Sequence, residues 1–120
     1  MPVLQLEESG EGVLMRYDIT IPQGTTWTVS IPVLAPNGTP QNLTGWNAAG
    51  QVRAFHESPE VLHNISINLE GSNVVLTVLP TTSSAWAWRN GVYDVELTSP
   101  DSKVIRLVEG HVTVTPEVTR

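Results

Sequence analysis

The chain has no cysteine in its 120 residues. Disulfides, thiolate metal sites and cysteine nucleophiles are therefore excluded, and the redox compartment is left unspecified. Positive charge is also scarce: six Lys and Arg face twelve Asp and Glu, a formal charge of -6. An acidic domain repels phosphate backbones, so nucleic acid and anionic membranes are disfavoured as partners. No apolar run approaches the ~20 residues that a membrane-crossing helix needs. The opening "MPVLQLEESGEG" has neither the basic region nor the apolar stretch of a signal peptide. The reading is a soluble, unprocessed chain.

What is present leans towards strand. Val and Thr are abundant, and nine Gly and nine Pro punctuate the chain. That is the balance of an all-β domain with many turns. The length suits one domain, which buries roughly two-thirds of the surface of its unfolded form and needs no covalent staple.

Residues 1–12 read as an extended N-terminal arm too short to hold an element, and 13–120 as the folded domain. The arm is either a loose terminus or a segment lying on a neighbouring subunit, since Val3, Leu4 and Leu6 are large apolar residues for a solvated tail. Period-two alternation then marks the strands. "VLMRYDITI" sets Val13, Met15, Tyr17, Ile19 and Ile21 on one face. "TTWTVSIPVL" does the same with Trp27, Val29, Ile31 and Val33, and Pro32 makes it an edge or bulged strand. "WNAAGQVRAF" follows the "APNGTP" turn, its small residues leaving room for partners such as Trp27. Ile65, Ile67 and Leu69 mark a fourth strand and "VVLTVL" a fifth. "PTTSSAWAW" has no such alternation and reads as a short helical crossover near 80–88, with Thr81 or Thr82 as N-cap. "NGVYDVELTS" and "VIRLVEGHVTVTPEV" form the closing hairpin. Its loop sets Leu97 opposite Ile105, Val95 opposite Leu107 and Glu96 opposite Arg106, with apolar pairing and charge in agreement. Apolar parity flips past Leu107, which calls for a bulge, assigned to Gly110. Seven short strands at about ten-residue spacing predict one antiparallel, immunoglobulin-like β-sandwich.

Chemistry is sparse. His56, Glu57, Glu60 and His63 share one loop, but their spacing matches no metal-binding motif, and a polar surface loop is the better reading. No G-x-S-x-G surrounds any serine. Asp94 and Glu96 share a strand face, with Arg106 as partner of Glu96 and no cleft marked. The pattern gives no catalytic constellation, metal site or cofactor site. The tryptophans carry more. Trp27 and Trp46 read as core. Trp86 and Trp88 sit two apart in the crossover, so either one faces outward as a contact residue or both plug the end of the sandwich. Contact candidates are thus Val3, Leu4 and Leu6 in the arm, Trp86 and Trp88, and the loop around His56, Glu57 and His63.

Two stretches, "YDITIPQGTTWTVSIPVL" with "NLTGW", and "NGVYDVELTSPDSKVIRLVEGHVTVTPEVTR", resemble small β-sandwich proteins encoded among the tail and fibre genes of tailed bacteriophages. The motifs are Gln23-Gly24, Leu43 to Trp46, Gly91 to Tyr93, Pro100-Asp101, and Arg106 to Arg120. The resemblance covers most of residues 17–120, with 54–90 matching in pattern only and the arm outside it. It implies a non-enzymatic virion protein, assembled in the host cytoplasm. Such a protein would be an attachment module of the tail, baseplate or tail-fibre root, contacting other virion proteins and copies of itself. It brings no catalytic residue and no cofactor. Two other expectations stand beside it: a capsid decoration or neck protein of the same fold, and a carbohydrate-binding module that stacks a host glycan on Trp86 or Trp88.

Overall fold

The structure is a computed structural model and describes residues 4–5 and 15–119. The elements run β1 (Leu4–Gln5), β2 (Met15–Arg16), β3 (Ile19–Pro22), β4 (Trp27–Leu34), β5 (Asn47–Arg53), β6 (His63–Asn64), β7 (Ser66–Glu70) and β8 (Asn73–Val78). After β8 come α1 (Pro80–Ser84), β9 (Asn90–Thr98) and β10 (Val104–Thr115). They form two sheets of a β-sandwich. One has the order β1-β4-β8-β7; the other has β2-β10-β9-β5-β6, with β3 also on β10.

Alternation produces the core. In β4, Val29, Ile31 and Val33 are buried, and in β8 so are Val74, Leu76 and Val78. Tyr93, Val95 and Leu97 of β9 close over them from the other sheet. Each fully buried Ile or Leu contributes about 1.5–3 kcal/mol relative to exposure. Trp27 and Trp46 are only partly buried and pack against the margin of this core. At Gly50 of β5 the space is taken by Val95 and Ile65 rather than Trp27. A Cβ on Gly50 would come within 3.1 Å of Val95 and 3.3 Å of Ile65. Ile65 lies where the chain changes sheet: β6 pairs with β5, and β7 pairs with β8. Its N–H donates to Gly50 O at 2.9 Å, so one continuous segment seals that flank of the sandwich.

Three pairings depart from an all-antiparallel sandwich. β1 runs parallel to β4, and β2 and β3 run parallel to β10. The expected first strand is therefore two short strands interrupted at Tyr17 and Asp18, and the arm does hold an element at Leu4–Gln5. Pro22 ends β3, and Pro32 lies in β4 just before its two-residue pairing with β1, positions where a missing N–H costs no ladder bond.

In the closing hairpin Leu97 faces Ile105 and Glu96 faces Arg106, as the pairing rules require. Val95, however, faces Val108, because the register shifts between Arg106 and Val108. The extra residue is Leu107, three places before the expected bulge. Leu107 and Val108 are both fully buried, so the parity flip occurs at this apolar pair. Gly110 stays in register opposite Tyr93 and serves another purpose. A Cβ there would press on the Tyr17 carbonyl, 2.8 Å from its carbon, and lie 2.9 Å from Asp18 Oδ1. The crossover helix begins from Leu79 with Pro80 in its first turn and no side-chain cap, so neither Thr81 nor Thr82 caps it.

Candidate contact surfaces

Register brings several loops to one end of the sandwich. β5 ends with Arg53 opposite Val92, β10 passes Asn90 at Thr113, β3 ends with Pro22 beside Thr115, and β4 starts with Trp27 opposite Val78. Residues 23–26, 54–62, 79–89 and 116–119 therefore leave the sheets at the same end.

The crossover is held there by a polar knot. Ser83 is fully buried, and its Oγ accepts the Gly24 N–H at 2.8 Å. Gln23, itself 9% exposed, donates from Nε2 to Ser83 O and Trp86 O, both at 3.0 Å. Ser83 O lies in the last turn of the one-turn helix, where it also accepts the Trp86 N–H at 3.0 Å, and Trp86 O lies just past its end, so the Gln23 amide adds a donor to the helix C-terminus. Gly24 has φ +80, and a Cβ on it would collide with the Glu117 carboxylate. Ser84 Oγ donates to that carboxylate at 3.2 Å. Ser83 and Ser84 thus join the crossover to the 23–24 turn and to the segment after β10.

Beyond the knot, Trp86 and Trp88 are both half-buried, with ring centroids 4.5 Å apart and planes tilted by 32°. Each covers part of the other, so neither expectation for the pair, one outward ring or two buried plugs, describes them. His63 meets Trp86 edge-on at 5.0 Å. Trp88 Nε1 and His63 Nε2 are both buried without a hydrogen-bond partner. Burial pushes the His63 pKa down, because the imidazolium would lose its hydration.

The loop before His63 is folded around Arg53, whose Nη1 donates to Ser58 O at 2.6 Å and whose Nη2 donates to Gln51 Oε1 at 2.9 Å. His56 and Glu57 are left exposed at its tip, while His63 turns away onto Trp86. Among the described residues no group of three His, Asp or Glu converges as a metal site. The exposed large apolar residues Phe55 (55%), Leu79 (56%) and Val118 (91%) leave from this same end. Among the described residues they expose apolar surface at the end of the sandwich that also holds the Trp pair.

The sheet faces are polar. Arg106, although opposite Glu96, reaches Asp94 at 3.6 Å and Glu109 at 3.9 Å. These pairs are half-exposed and contribute little to stability. Beside them, Asp18 Oδ1 accepts the His111 N–H at 2.8 Å, Arg16 donates to His111 Nδ1 at 2.7 Å, and the Tyr93 hydroxyl donates to Tyr17 O. The backbone hydrogen bond to Asp18, with Arg16 nearby, holds its carboxyl below the usual range, and burial pushes the Tyr93 phenol up. The group fastens β2 and β3 onto β10.

Of the arm, the described residues Leu4 and Gln5 lie at the opposite end. Leu4 and Gln5 sit beside Val33 and Leu34, where β4 finishes; Val3 and Leu6 fall outside the described residues. The expected contact residues are thus divided: His56, Glu57, His63, Trp86 and Trp88 gather at one end, and Leu4 lies at the other. Sequence reasoning missed Gln23, Phe55, Leu79 and Val118. Gln23 read as a turn residue, and the three apolar residues read as the last residues of strands, whereas β5, β8 and β10 stop at Arg53, Val78 and Thr115. A scan against protein-family models finds no match to this chain, and a search of curated proteins finds none either.

Proposed function

We propose that this chain is a non-enzymatic structural protein of a tailed-bacteriophage particle, an adaptor of the tail, baseplate or tail-fibre attachment region that works in multiple copies. The observation that carries the reading is that the candidate contact residues lie at opposite ends of an elongated sandwich measuring 47 × 28 × 21 Å. A domain built this way can hold one neighbour through the Trp86 end and another through the β4 end. The intervening faces carry solvated charges such as Asp94, Glu96 and Arg106. The resemblance supports the same reading. Its motifs Gln23-Gly24 and the Pro-Glu of the closing stretch meet in three dimensions, since the Glu117 N–H donates to Gln23 Oε1 at 3.5 Å. Trp86 and Trp88 spend ring surface on each other, which leaves less of a platform for a sugar than two free rings would. The test is compositional. Particles from the source of the sequence are banded by density and their proteins identified by mass spectrometry. The reading expects the chain at a fixed multiple of copies in isolated tails. Recovery only from the unassembled fraction would refute it.

A further inference from the structure

We propose that His63 is a pH-sensitive latch on the Trp86–Trp88 stack: neutral, it holds the two rings closed, and protonated, it leaves its seat and uncovers them. The seat is short of hydrogen bonds. His63 meets Trp86 edge-on at 5.0 Å, and Trp86 lies 4.5 Å from Trp88. Within this three-ring group His63 Nε2 and Trp88 Nε1 are both buried without a partner. An indole N–H can only donate, whereas a neutral imidazole can leave Nε2 as a bare acceptor. Protonation makes Nε2 a second buried donor and adds a charge.

Among the described residues no neighbour offsets that charge. The charged and titratable groups on the elements packed around His63 are Arg53 of β5, His56, Glu57 and Glu60 of the preceding loop, and Arg89 of the crossover. Arg53 is engaged by Ser58 O and Gln51 Oε1, and Arg89 lies against Trp86 O and Trp88 O. The ion pairs of the described residues all lie elsewhere. Burial alone lowers the His63 pKa, so the closed stack resists the proton. A cation is drawn to an indole face, but that attraction is weaker than the cost of burying a charge without a hydrogen-bond partner. Acid therefore favours the open seat. The opening is confined to side chains, because both backbones are pinned. Gln23 Nε2 donates to Ser83 O and Trp86 O, the Trp86 N–H donates to Ser83 O, and His63 is paired with Val52 of β5. What opens is aromatic surface at the end that already exposes Phe55, Leu79 and Val118, so this end offers a larger apolar contact at acid pH. The latch belongs to the chain by itself, and its test does not depend on the adaptor reading.

The indole N–H resonances of the full chain, assigned with Trp86→Phe and Trp88→Phe variants, are followed by NMR from about pH 7.5 to about pH 5, together with the ring protons of His63. The proposal expects the Trp86 and Trp88 signals to move with the same midpoint as His63, below about 6.5. The signal of Trp46, which precedes the start of β5 at the far end, stays in place. At the acid end the Trp88 indole N–H exchanges with water at least roughly tenfold faster than in His63→Phe at the same pH. That variant keeps a ring in the seat but cannot take up the proton. Titration of His63 with Trp86 and Trp88 unmoved would overturn the proposal, as would equal exchange in the two proteins. Movement of Trp46 in step with the pair would overturn it too, since that is general unfolding. If His63→Phe does not fold, the titration of the unaltered chain decides by itself.

Discussion

Replacing Gly110 by alanine tests whether the β2–β3 segment is seated on β10 by a close backbone approach. The added Cβ has no room: it would lie 2.8 Å from the Tyr17 carbonyl carbon and 2.9 Å from Asp18 Oδ1. The neighbour it meets is mostly backbone, which cannot swing aside as a side chain can. Overpacking of this kind costs about 1–3 kcal/mol. Moving Tyr17 and Asp18 away also strains the Tyr17 N–H bond to Glu109 O (2.9 Å), the Tyr93 hydroxyl bond to Tyr17 O and the His111 N–H bond to Asp18 Oδ1 (2.8 Å). Losing one of these adds about 1 kcal/mol. Gly110→Ala should therefore destabilise by about 3 kcal/mol, measured by urea unfolding followed through Trp fluorescence. For a chain of this size that is a fall in Tm of roughly 10 °C. A loss below about 0.5 kcal/mol, the level of an ordinary surface substitution, would refute the reasoning.

Other perturbations probe the ends of the sandwich. Gln23→Ala removes two hydrogen bonds, leaving Ser83 O with the Trp86 N–H and Trp86 O with Arg89 Nη1 at 3.5 Å, and should cost about 1–2 kcal/mol, with hydrogen exchange rising first at residues 83–88; unchanged protection there would count against the knot. His63 has its pKa lowered in the fold, so the unfolded chain takes up its proton first as pH falls. Its contribution is complete above the unfolded value of about 6.5 and is lost as pH drops from there towards the folded value. His63→Phe should flatten the slope of Tm against pH between about 7 and 5.5, and an identical slope would exclude His63 as its source. Deleting residues 1–12 removes a two-residue pairing, worth about 1 kcal/mol. The deletion should preserve the fold in circular dichroism while weakening assembly; normal assembly would rule the arm out as a contact.

Much of this architecture was legible because burial on a strand is a local, period-two property. Val29, Ile31 and Val33 or Tyr93, Val95 and Leu97 declare their face within a few residues. The hairpin register was legible for the same reason as far as Arg106. The bulge was misplaced because glycine drew attention to 110, whereas the physical marker was the adjacent apolar pair Leu107-Val108. Two consecutive buried residues require a backbone irregularity between them. Gly110 instead answers to the Tyr17 carbonyl, a contact with a residue far away in sequence. The parallel pairing of β2 and β3 with β10 has no local signature either, since alternation is the same for both strand directions. At the candidate surfaces, the spacing of Trp86 and Trp88 pointed to the crossover. It could not show that the two rings stack on each other, or that His63 leaves its polar loop to join them. Gln23 was hidden because a buried amide and an exposed one look alike in a Pro-Gln-Gly turn.

The proposed role requires that the sandwich join different neighbours through its two ends. Electron cryo-microscopy of intact particles measures this most directly. The proposed role predicts symmetry-related copies of the domain in the tail, baseplate or fibre root, with Trp86, Leu79 and Val118 against one neighbour and the β4 end against another. Absence of the domain from the particle, or contacts made only through its charged sheet faces, would contradict it.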